Sequence, residues 1–428
     1  MRGCKTPAVL RRGRVRGVAR GLPSSVWVLD SGMALNALGN GLATPFLLIY
    51  LHSVRGFAVS TVGVVPLTNY GVAIIAGIAA GPIVDRIGGR ATAAASMVAL
   101  AGGFAGYPFV HEPWQAFAFA ALAGTGTGLF WPSWGTLVAR LVPRERRHAA
   151  WGVQRVAMNL GGGLGALAGG LIAQTSDATT FQTLFLANAG TYLVFGAIFL
   201  LLRMPAAPAA PTQLRPPRYR DVARDRALLG TVAIGMVFAA AGIAQFNSIL
   251  PVFAKSYAGV GEAVIGVIFL VNTITIVLAQ LPVTRAVEGR RRMPLLAGVG
   301  TLWGACFCLV LAAWLASAAV AAALLIVMAI AFAVGECVLG VIQAPLVADL
   351  APEWLRGRYM ALSSISAQLG YGVGPAIGGV LLDLSPAVLW SVAAAVCAGI
   401  AVAALVVEPV LPGNVRTTPA SGTTVPAA

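Results

Sequence analysis

Residues 81–90 read GPIVDRIGGR and lie between two long apolar runs. The glycines suit both a tight reversal of the chain and a close approach of neighbouring helices. The stretch is therefore predicted to be a very short loop between two membrane helices, with its charges in water. Its charged residues and flanking glycines are Gly81, Asp85, Arg86, Gly88 and Arg90.

The composition is that of a protein embedded in a lipid bilayer. The 428 residues are 58% hydrophobic and only 10% charged, and the mean hydropathy is +0.84. A soluble globular protein carries roughly 25% charged residues. The net charge of +15 does not indicate nucleic-acid binding, because the basic residues cluster in short loops between apolar runs, as membrane topology requires.

Twelve apolar runs are long enough to cross a bilayer, which needs about 20 residues. The first is too long to be the core of a cleaved signal peptide, which spans about 7–15 residues. The chain is therefore expected to be an all-α integral membrane protein. The predicted spans are 26–51, 61–84, 91–110, 114–139, 149–173, 181–202, 228–254, 263–286, 293–314, 317–348, 358–382 and 387–408.

The spans fall into two groups of six. A stretch rich in Pro and Arg, 203–227, separates residues 26–202 from residues 228–408, and a basic tail, 1–25, precedes them. The Thr-, Ala- and Pro-rich residues 409–428 are predicted to be a disordered tail. With the N-terminus in the cytoplasm, about 26 of the 29 basic residues lie on the inner side. The positive-inside rule therefore predicts that both termini are cytoplasmic.

The two groups of spans resemble each other in sequence. LVARLVP at 137–143 matches LVADLAP at 346–352, and LGGGLGALAGG at 160–170 matches LGYGVGPAIGG at 369–379. Both pairs share one offset of 209 residues. The stretch PVTRAVEGRRR, 282–292, is a degraded copy of the opening stretch. These matches predict two parallel six-helix repeats.

The pattern G-x-x-x-D-R-x-G-x-R, placed after the second span, resembles the loop signature between helices 2 and 3 of the major facilitator superfamily. That family comprises twelve-helix secondary transporters with two pseudo-symmetric six-helix halves. The resemblance implies a monomer in a bacterial cytoplasmic membrane, and a charged cluster that locks the halves together on the inner side. The plainer alternative is a solvated turn. The residues expected in this gate are Gly81, Asp85, Arg86, Gly88, Arg90 and Arg140.

Glycines recur every four residues in spans 5 and 11, which places them on one helix face. Such faces are expected to be sliding contacts between halves, or, alternatively, ordinary tight packing. The G-P-x-x-G-G sequence that begins at Gly374 resembles the end of the family's antiporter motif, which is expected in span 5, where Ala166 replaces the proline. The packing residues expected are Gly165, Gly169, Gly374, Pro375 and Gly378.

Charged residues inside spans are costly and are therefore functional candidates. Glu336 lies about 20 Å from the inner end of span 10, at 1.5 Å per residue, and is a candidate for proton exchange. Asp30 and Arg155 lie toward the inner side and are expected to pair, either as part of the coupling or as a fixed link between helices. The residues around Glu336 and Arg155 resemble bacterial drug-efflux facilitators.

Polar and aromatic residues inside the spans are candidates for lining a substrate cavity. One feature of proton-coupled drug antiporters is missing, because Ala120 stands where an arginine precedes the G-x-G-x-G run of span 4. Proton coupling is therefore an inference from the other charges. The residues expected in the cavity are Asn40, Tyr70, Trp131, Asn159 and Gln343.

Enzyme signatures are not found in a plausible context. The sequence holds no P-loop and no H-E-x-x-H, and its five cysteines form no C-x-x-C, so neither a cofactor nor a metal is expected. The leading hypothesis is a transporter that exports small organic molecules in exchange for protons. The alternatives are an uptake facilitator, working by uniport or proton symport, and a membrane sensor or assembly factor that transports nothing.

Overall fold

The computed structural model describes residues 24–142, 147–202, 224–352 and 355–418, and within these ranges the chain forms twelve long helices and no extended sheet. The predicted twelve-helix membrane fold is confirmed. The helices are α1 Ser24–Ile49, α2 Val59–Ile87, α3 Gly89–Gly106, α4 Pro113–Leu141, α5 Arg147–Ile172, α6 Ala178–Leu201, α7 Arg226–Val237, α8 Glu262–Val287, α9 Arg292–Trp314, α10 Ala318–Leu350, α11 Arg356–Leu384 and α12 Pro386–Val407.

Two helices continue beyond their regular turns as wider π-helical turns. α1 runs on through Tyr50–Val54, and α7 runs on through Phe238–Ile243 and Gln245–Ile249 into Leu250–Ser256. With these extensions, nine of the helices in the described ranges are long and apolar enough to cross a membrane, and α3, α4 and α5 complete the set of twelve. π-turns inside helices are frequent at functional sites. In α7 these turns border a cavity inside the helix bundle.

The helix pairings show two pseudo-symmetric halves, α1–α6 and α7–α12. In the first half α1 packs on α5, α2 on α4, α3 on α4 and α3 on α6. In the second half each of these pairings recurs six helices later, as α7 on α11, α8 on α10, α9 on α10 and α9 on α12. The internal sequence repeat therefore corresponds to a repeat of tertiary structure.

The halves meet along two seams related by the same pseudo-symmetry, α2 against α11 and α5 against α8. Small residues let the backbones approach closely there. A Cβ on Gly63 would collide with the carbonyl of Pro375, and one on Gly170 would collide with the carbonyl of Glu262. Larger residues at these positions would push the halves apart.

We name the two ends of the bundle by what lies there. The basic end is where α2, α4, α6, α8, α10 and α12 end, and the described arginines there include Arg86, Arg140, Arg285 and Arg290. The sealed end holds the loops after α1, α3, α5, α7, α9 and α11, where direct contacts join the halves.

The segment after α12 differs from the predicted disorder. Residues Glu408–Val410 and Gly413–Val415 form 3₁₀ turns, and Leu411 and Val415 are 1% and 5% exposed. The apolar pair is buried at the basic end, so this segment up to Thr418 is a packed part of the second half. Most of the predicted N-terminal tail, most of the predicted linker and residues 419–428 lie outside the described residues.

Candidate functional site

A cavity of about 500 Å³ lies between the halves. Helix α5 of the first half forms one wall, and helices α7, α8, α10 and α11 of the second half form the others. Apolar side chains such as Ile243, Leu339 and Met360 alternate with polar groups, as in sites for small organic molecules. The main polar residues are Arg155, Asn159, Gln280, Glu336, Gln343 and Tyr371.

Glu336 is the acidic residue of this cavity. The side-chain amide of Asn272, on α8, donates to Glu336 Oε2 at 2.8 Å and so fixes the orientation of the carboxylate. Among the described residues no further hydrogen bond reaches the carboxylate, so Oε1 retains its capacity to accept one. The predicted intramembrane acid therefore lies in a ligand-sized cavity with one oxygen bonded and the other available.

Arg155 reaches the same cavity from the opposite half. Its guanidinium lies against Gly340, since a Cβ added at Gly340 would be 3.1 Å from Arg155 Nη2. Gly340 follows Glu336 by one helical turn. Within the described part of the chain, Arg155 has neither a hydrogen bond nor an ion pair within 4.0 Å. The two opposite charges share the cavity without contact.

Asp30 lies elsewhere, in a small pocket of the first half beside Trp134 and Gln154. Trp134 Nε1 donates to Gln154 Oε1 at 2.9 Å, and Asp30 Oδ2 is buried with no hydrogen-bond partner in the described residues. The expected Asp30–Arg155 pair is not formed. Consecutive residues point about 100° apart around a helix, so Gln154 faces Asp30 while Arg155 faces the central cavity.

The predicted gate residues lie at the basic end and are exposed, except for Gly88, which is half-buried. Asp85 and Arg140 do not form an ion pair within 4.0 Å in the described structure, and Arg86 has no partner there either. Arg90 Nη1 donates to the carbonyl of Leu202 at 3.0 Å and closes the end of α6. Gly88 has φ +84°, so a glycine is needed for this turn. A Cβ on Gly81 would meet nothing within 4 Å.

The predicted packing residues are tightly packed, but mostly inside each half. The predicted glycines of α5 pack on α1, and those of α11 pack on the extension of α7, so these four glycines lie inside the halves and not at the sliding contacts that the sequence suggested. Pro375 does lie on the seam between halves, against Gly63. The intra-half contacts are Gly165 with Leu38, Gly169 with Leu42, Gly374 with Ala240 and Gly378 with Gln245.

The predicted cavity residues divide into three groups. Asn159 and Gln343 line the cavity, and Gln343 Nε2 donates to the carbonyl of Thr231 at 2.8 Å. Tyr70 packs against the cavity residue Tyr371 across the seam, with ring centroids 5.6 Å apart and the ring planes tilted by 39°. Two others are not among the residues that line it. Asn40 Oδ1 accepts from Tyr192 Oη at 2.5 Å, and Trp131 packs edge-on against Phe130.

Sequence reasoning missed several lining residues, chiefly on α11. Met360, Ser364, Ala367 and Tyr371 follow one another at intervals of four, three and four residues, which places them on one helix face. A search for a small or polar stripe at helical spacing would have found this face. Gly340 carries no such signal, because its role depends on Arg155 of the other half.

Direct hydrogen bonds join the halves at the sealed end. The backbone N–H groups of Val59 and Ser60, which begin α2, donate to Asp383 of α11 at 3.2 and 2.8 Å. The N–H of Thr175 donates to Glu262 of α8 at 2.9 Å. Carboxylates are favoured at helix N-termini, so Asp383 closes the start of α2 from the other half.

A helical membrane protein with two repeated halves around a charged central cavity has the architecture of a secondary transporter. The family model of the Major Facilitator Superfamily matches residues 29–334 and 232–426. The chain belongs to this superfamily and is one of its transporters, which implies small-molecule substrates and a place in the membrane.

Characterised and uncharacterised bacterial proteins are similar to the chain over most of its length. The uncharacterized MFS-type transporter YqjV of Bacillus subtilis is 28% identical over 365 residues, 84% of this chain and 86% of the relative. The multidrug resistance protein MdtH of Klebsiella pneumoniae is 27% identical over 374 residues, 86% of this chain and 89% of the relative.

Solved structures share the fold at low sequence identity. A POT family transporter in complex with 5-aminolevulinic acid has a TM-score of 0.75 and 16% identity, over 91% of this chain and 97% of that one. A bacterial homologue of the lysosomal transporter Spinster, in an inward-facing conformation, has a TM-score of 0.67 and 13% identity, over 90% and 95%. These similarities establish the fold alone.

Proposed function

We propose that the protein is an antiporter that exports small organic molecules, drugs among them, in exchange for protons. The observation that carries this proposal is the Glu336 carboxylate, oriented by Asn272 in a cavity between the two halves. A carboxylate in such a place binds either a proton or a positively charged group. A proton and a cationic substrate therefore compete for one site, and exchange follows from that competition.

Alternating access supplies the movement. Hydrogen bonds close the sealed end, whereas the gate residues at the basic end stand apart. If the positive-inside prediction holds, the cavity opens to the cytoplasm in this structure, as a transporter ready to load its export substrate requires. In the outward-facing state we expect Asp85 to engage the start of α11, with Arg140 beside it. Ligands then shift the balance between the two states.

Asp30 is the second protonation candidate. Its buried carboxylate lies among apolar side chains and has an oxygen without a described hydrogen-bond partner. Because its neighbour Gln154 precedes Arg155 on α5, a change at Asp30 reaches the central cavity through one helix. The drug-export direction has separate support in the name of MdtH, a multidrug resistance protein.

An uptake facilitator, working by uniport or proton symport, is the second candidate. The feature that favours it is Ala120, which stands where the resemblance to proton-coupled drug antiporters calls for an arginine. In the described structure the carbonyl of Ala120 accepts a hydrogen bond from Asn69 at 3.2 Å, so this point of α4 is occupied by packing between helices.

Proton movement in proteoliposomes tests the proposal. The full chain is reconstituted with a pH dye inside, a proton gradient is imposed, and lipophilic cations, antibiotics and sugars are added in turn. We expect a substrate-triggered pH change that is lost in Glu336→Gln. Asp177→Asn is the matched control, because Asp177 is an exposed helix cap and asparagine caps equally well.

The remaining outcomes separate the alternatives. Solute uptake down its own gradient, with no pH change, would favour the uniporter. An unchanged signal in Glu336→Gln would contradict the role of this carboxylate. No flux of any kind would favour a protein that does not transport.

A disulfide tests the assignment of the sealed end. The hydroxyl of Ser53, in the extension of α1, and the hydroxyl of Ser256, at the end of the extension of α7, are 3.4 Å apart. Replacing both by cysteine should allow oxidative cross-linking, because the two side-chain oxygens that the sulfurs would replace are within hydrogen-bond distance of each other. The cross-link should stop transport and a reductant should restore it, whereas full transport by the cross-linked protein would contradict alternating access.

A further inference from the structure

We propose that the central cavity recognises zwitterions, meaning organic molecules that carry a carboxylate and a protonated amine on an apolar scaffold. The inference deepens the proposed function and rests on it for its physiological meaning. Its binding step, however, can be measured without any flux. Arg155 and Glu336 carry opposite charges and face the same cavity without forming an ion pair.

Arg155 supplies the anion-binding group. Its guanidinium is exposed to the cavity and has no hydrogen bond or ion pair to any other described residue. Guanidinium is a planar fork of donors that matches a carboxylate with two parallel hydrogen bonds. A ligand carboxylate would satisfy donors that the described residues leave unused.

Glu336 supplies the cation-binding group. Asn272 holds one carboxylate oxygen, and the other oxygen accepts no hydrogen bond from the described residues. A protonated amine donates up to three hydrogen bonds and complements that oxygen. The fixed orientation means that little freedom is lost when the amine binds.

The positions of Arg155 and Glu336 show that the two charges are not a simple internal ion pair. Arg155 lies on α5 of the first half and Glu336 on α10 of the second half, and no nitrogen–oxygen distance between them is within 4.0 Å. Gly340 leaves the space in which the guanidinium lies against α10. A zwitterion would bridge the halves through both charges, while its scaffold contacts Ile243, Leu339 and Met360.

The same geometry disfavours ligands with one charge. A molecule with only a positive group brings that charge near Arg155, and a molecule with only a carboxylate brings it near Glu336. Repulsion between like charges is an effective source of specificity. The cavity therefore discriminates against both classes through residues that the zwitterion uses.

The test uses four probes on one scaffold: the dipeptide Phe-Phe, its methyl ester, its N-acetyl derivative and the doubly capped molecule. Binding to the full chain, purified in detergent, is measured by calorimetry at pH 7. We expect the free dipeptide to bind about tenfold more tightly than either singly capped probe, which corresponds to about 1.4 kcal/mol. Equal affinity for the ester and the free dipeptide, or no binding of any probe, would overturn the proposal.

Single substitutions assign each charge. Arg155→Gln should make the ester bind as well as the free dipeptide, and Glu336→Gln should do the same for the N-acetyl probe. Gly340→Ala should reduce the preference for a free carboxylate while keeping both charges, because it displaces the guanidinium. Arg290→Gln, which removes an exposed arginine at the basic end, is the control and should preserve the order of affinities.

Flux measurements separate this inference from the proposed function. Zwitterion selectivity without any flux would support the binding site and contradict a transporter. Proton-coupled flux of lipophilic cations, with no preference for the free dipeptide, would support the transporter and overturn the zwitterion site. If the variants shift affinities for all four probes equally, the two charges do not act on the ligand termini and the proposal fails.

Discussion

The loops after α2 and α8 come from the same position of the internal repeat, yet they differ in structure. At the end of α2, beside the α2–α3 loop, Asp85 is exposed and has no ion pair or hydrogen-bond partner among the described residues. Three residues after the proline that both helices contain, α8 carries Arg285 where α2 carries Asp85. The α8–α9 loop is instead bonded to other parts of its own half. The charged groups beside the first loop are therefore available for the gating contact that we propose, whereas the second loop is a structural joint within its half.

The joint is built from charges and from the segment after α12. Arg292 is only 2% exposed and bonds Asp349 of α10 at 2.6 Å, while Arg291 bonds Glu408 at 2.6 Å. The N–H of Arg292 donates to the carbonyl of Arg416 at 2.8 Å. The N–H of Thr418 donates to the carbonyl of Arg290 at 3.0 Å. No equivalent segment covers the α2–α3 loop in the described structure.

Removal of the segment after α12 should have the largest effect, because it should lower the stability of the joint at the α8–α9 loop. A chain that ends at Val407 loses the buried side chains of Leu411 and Val415, each contributing about 2 kcal/mol. We expect the free energy of unfolding to fall by about 4 kcal/mol and the thermal midpoint in detergent to fall by roughly 10 °C. A chain that ends at Thr418 is the control. Equal midpoints for both chains would show that the segment is not part of the joint.

Asp349→Asn and Asp85→Asn compare the two loops directly, because each replaces a carboxylate by an amide. Asp349→Asn leaves the charge of Arg292 buried without its partner, and we expect a loss of about 3 kcal/mol. Asp85→Asn should change stability by less than about 0.5 kcal/mol, since Asp85 is exposed and pairs with none of the described residues. Thermal unfolding of both variants in detergent decides whether the asymmetry is energetic.

The transport rate should respond in the opposite order, with Asp85→Asn reducing it more than Asp349→Asn does. Asp85→Asn should insert normally and yet transport about tenfold more slowly, because a contact worth about 1.4 kcal/mol in the outward-facing state is lost. The rate is measured in proteoliposomes at equal protein content, with Asp177→Asn as the control. Normal transport by Asp85→Asn would mean that the α2–α3 loop is only a solvated turn.

The smallest expected effect is a difference in pH dependence between the N-terminal caps of α6 and α12. These two helices also correspond in the internal repeat. Asp177 caps α6, and hydrogen bonds from the hydroxyl and N–H of Thr179 lower its pKa. Ser385 caps α12 without a charge. A lowered carboxyl pKa stabilises the cap above the unfolded value of about 3.9, and this stability is lost as the pH falls through the folded value.

Amide hydrogen exchange between pH 7 and pH 3 measures this difference. Protection at the start of α6 should weaken below about pH 4, beyond the change in intrinsic exchange rate, while protection at the start of α12 should not. Asp177→Asn should abolish the difference. Equal weakening of both helix starts would point to general acid unfolding instead.

Most of the fold could be predicted from the sequence, because long apolar runs and basic loops are local properties. The repeat at a constant offset similarly predicted the two halves. Glu336 and Arg155 stood out because charges inside spans are rare. What the sequence could not show is which neighbour each side chain faces. Arg155 and Gln154 are adjacent in sequence, and only the rotation of α5 against α1 and α10 assigns them to different cavities.

Two further features were hidden for different reasons. The segment after α12 has the composition of a disordered tail, and its order depends on Leu411 and Val415 meeting a surface made by residues far away in sequence. The conformational state was also hidden, because one sequence encodes both the open and the closed arrangement of each end. A pattern of residues therefore predicts where a gate lies but not whether it is shut.

The two halves contribute different chemical groups to the hydrogen bonds at the sealed end. Besides the contact between the Ser53 and Ser256 hydroxyls, the first half contributes backbone N–H groups at Val59, Ser60 and Thr175, and the second half contributes the carboxylates of Asp383 and Glu262. Substitutions cannot remove a backbone N–H except by introducing proline, whereas either carboxylate can be changed by a single codon. Evolution can therefore adjust how long this end stays shut through two positions of the second half, leaving the first half unchanged.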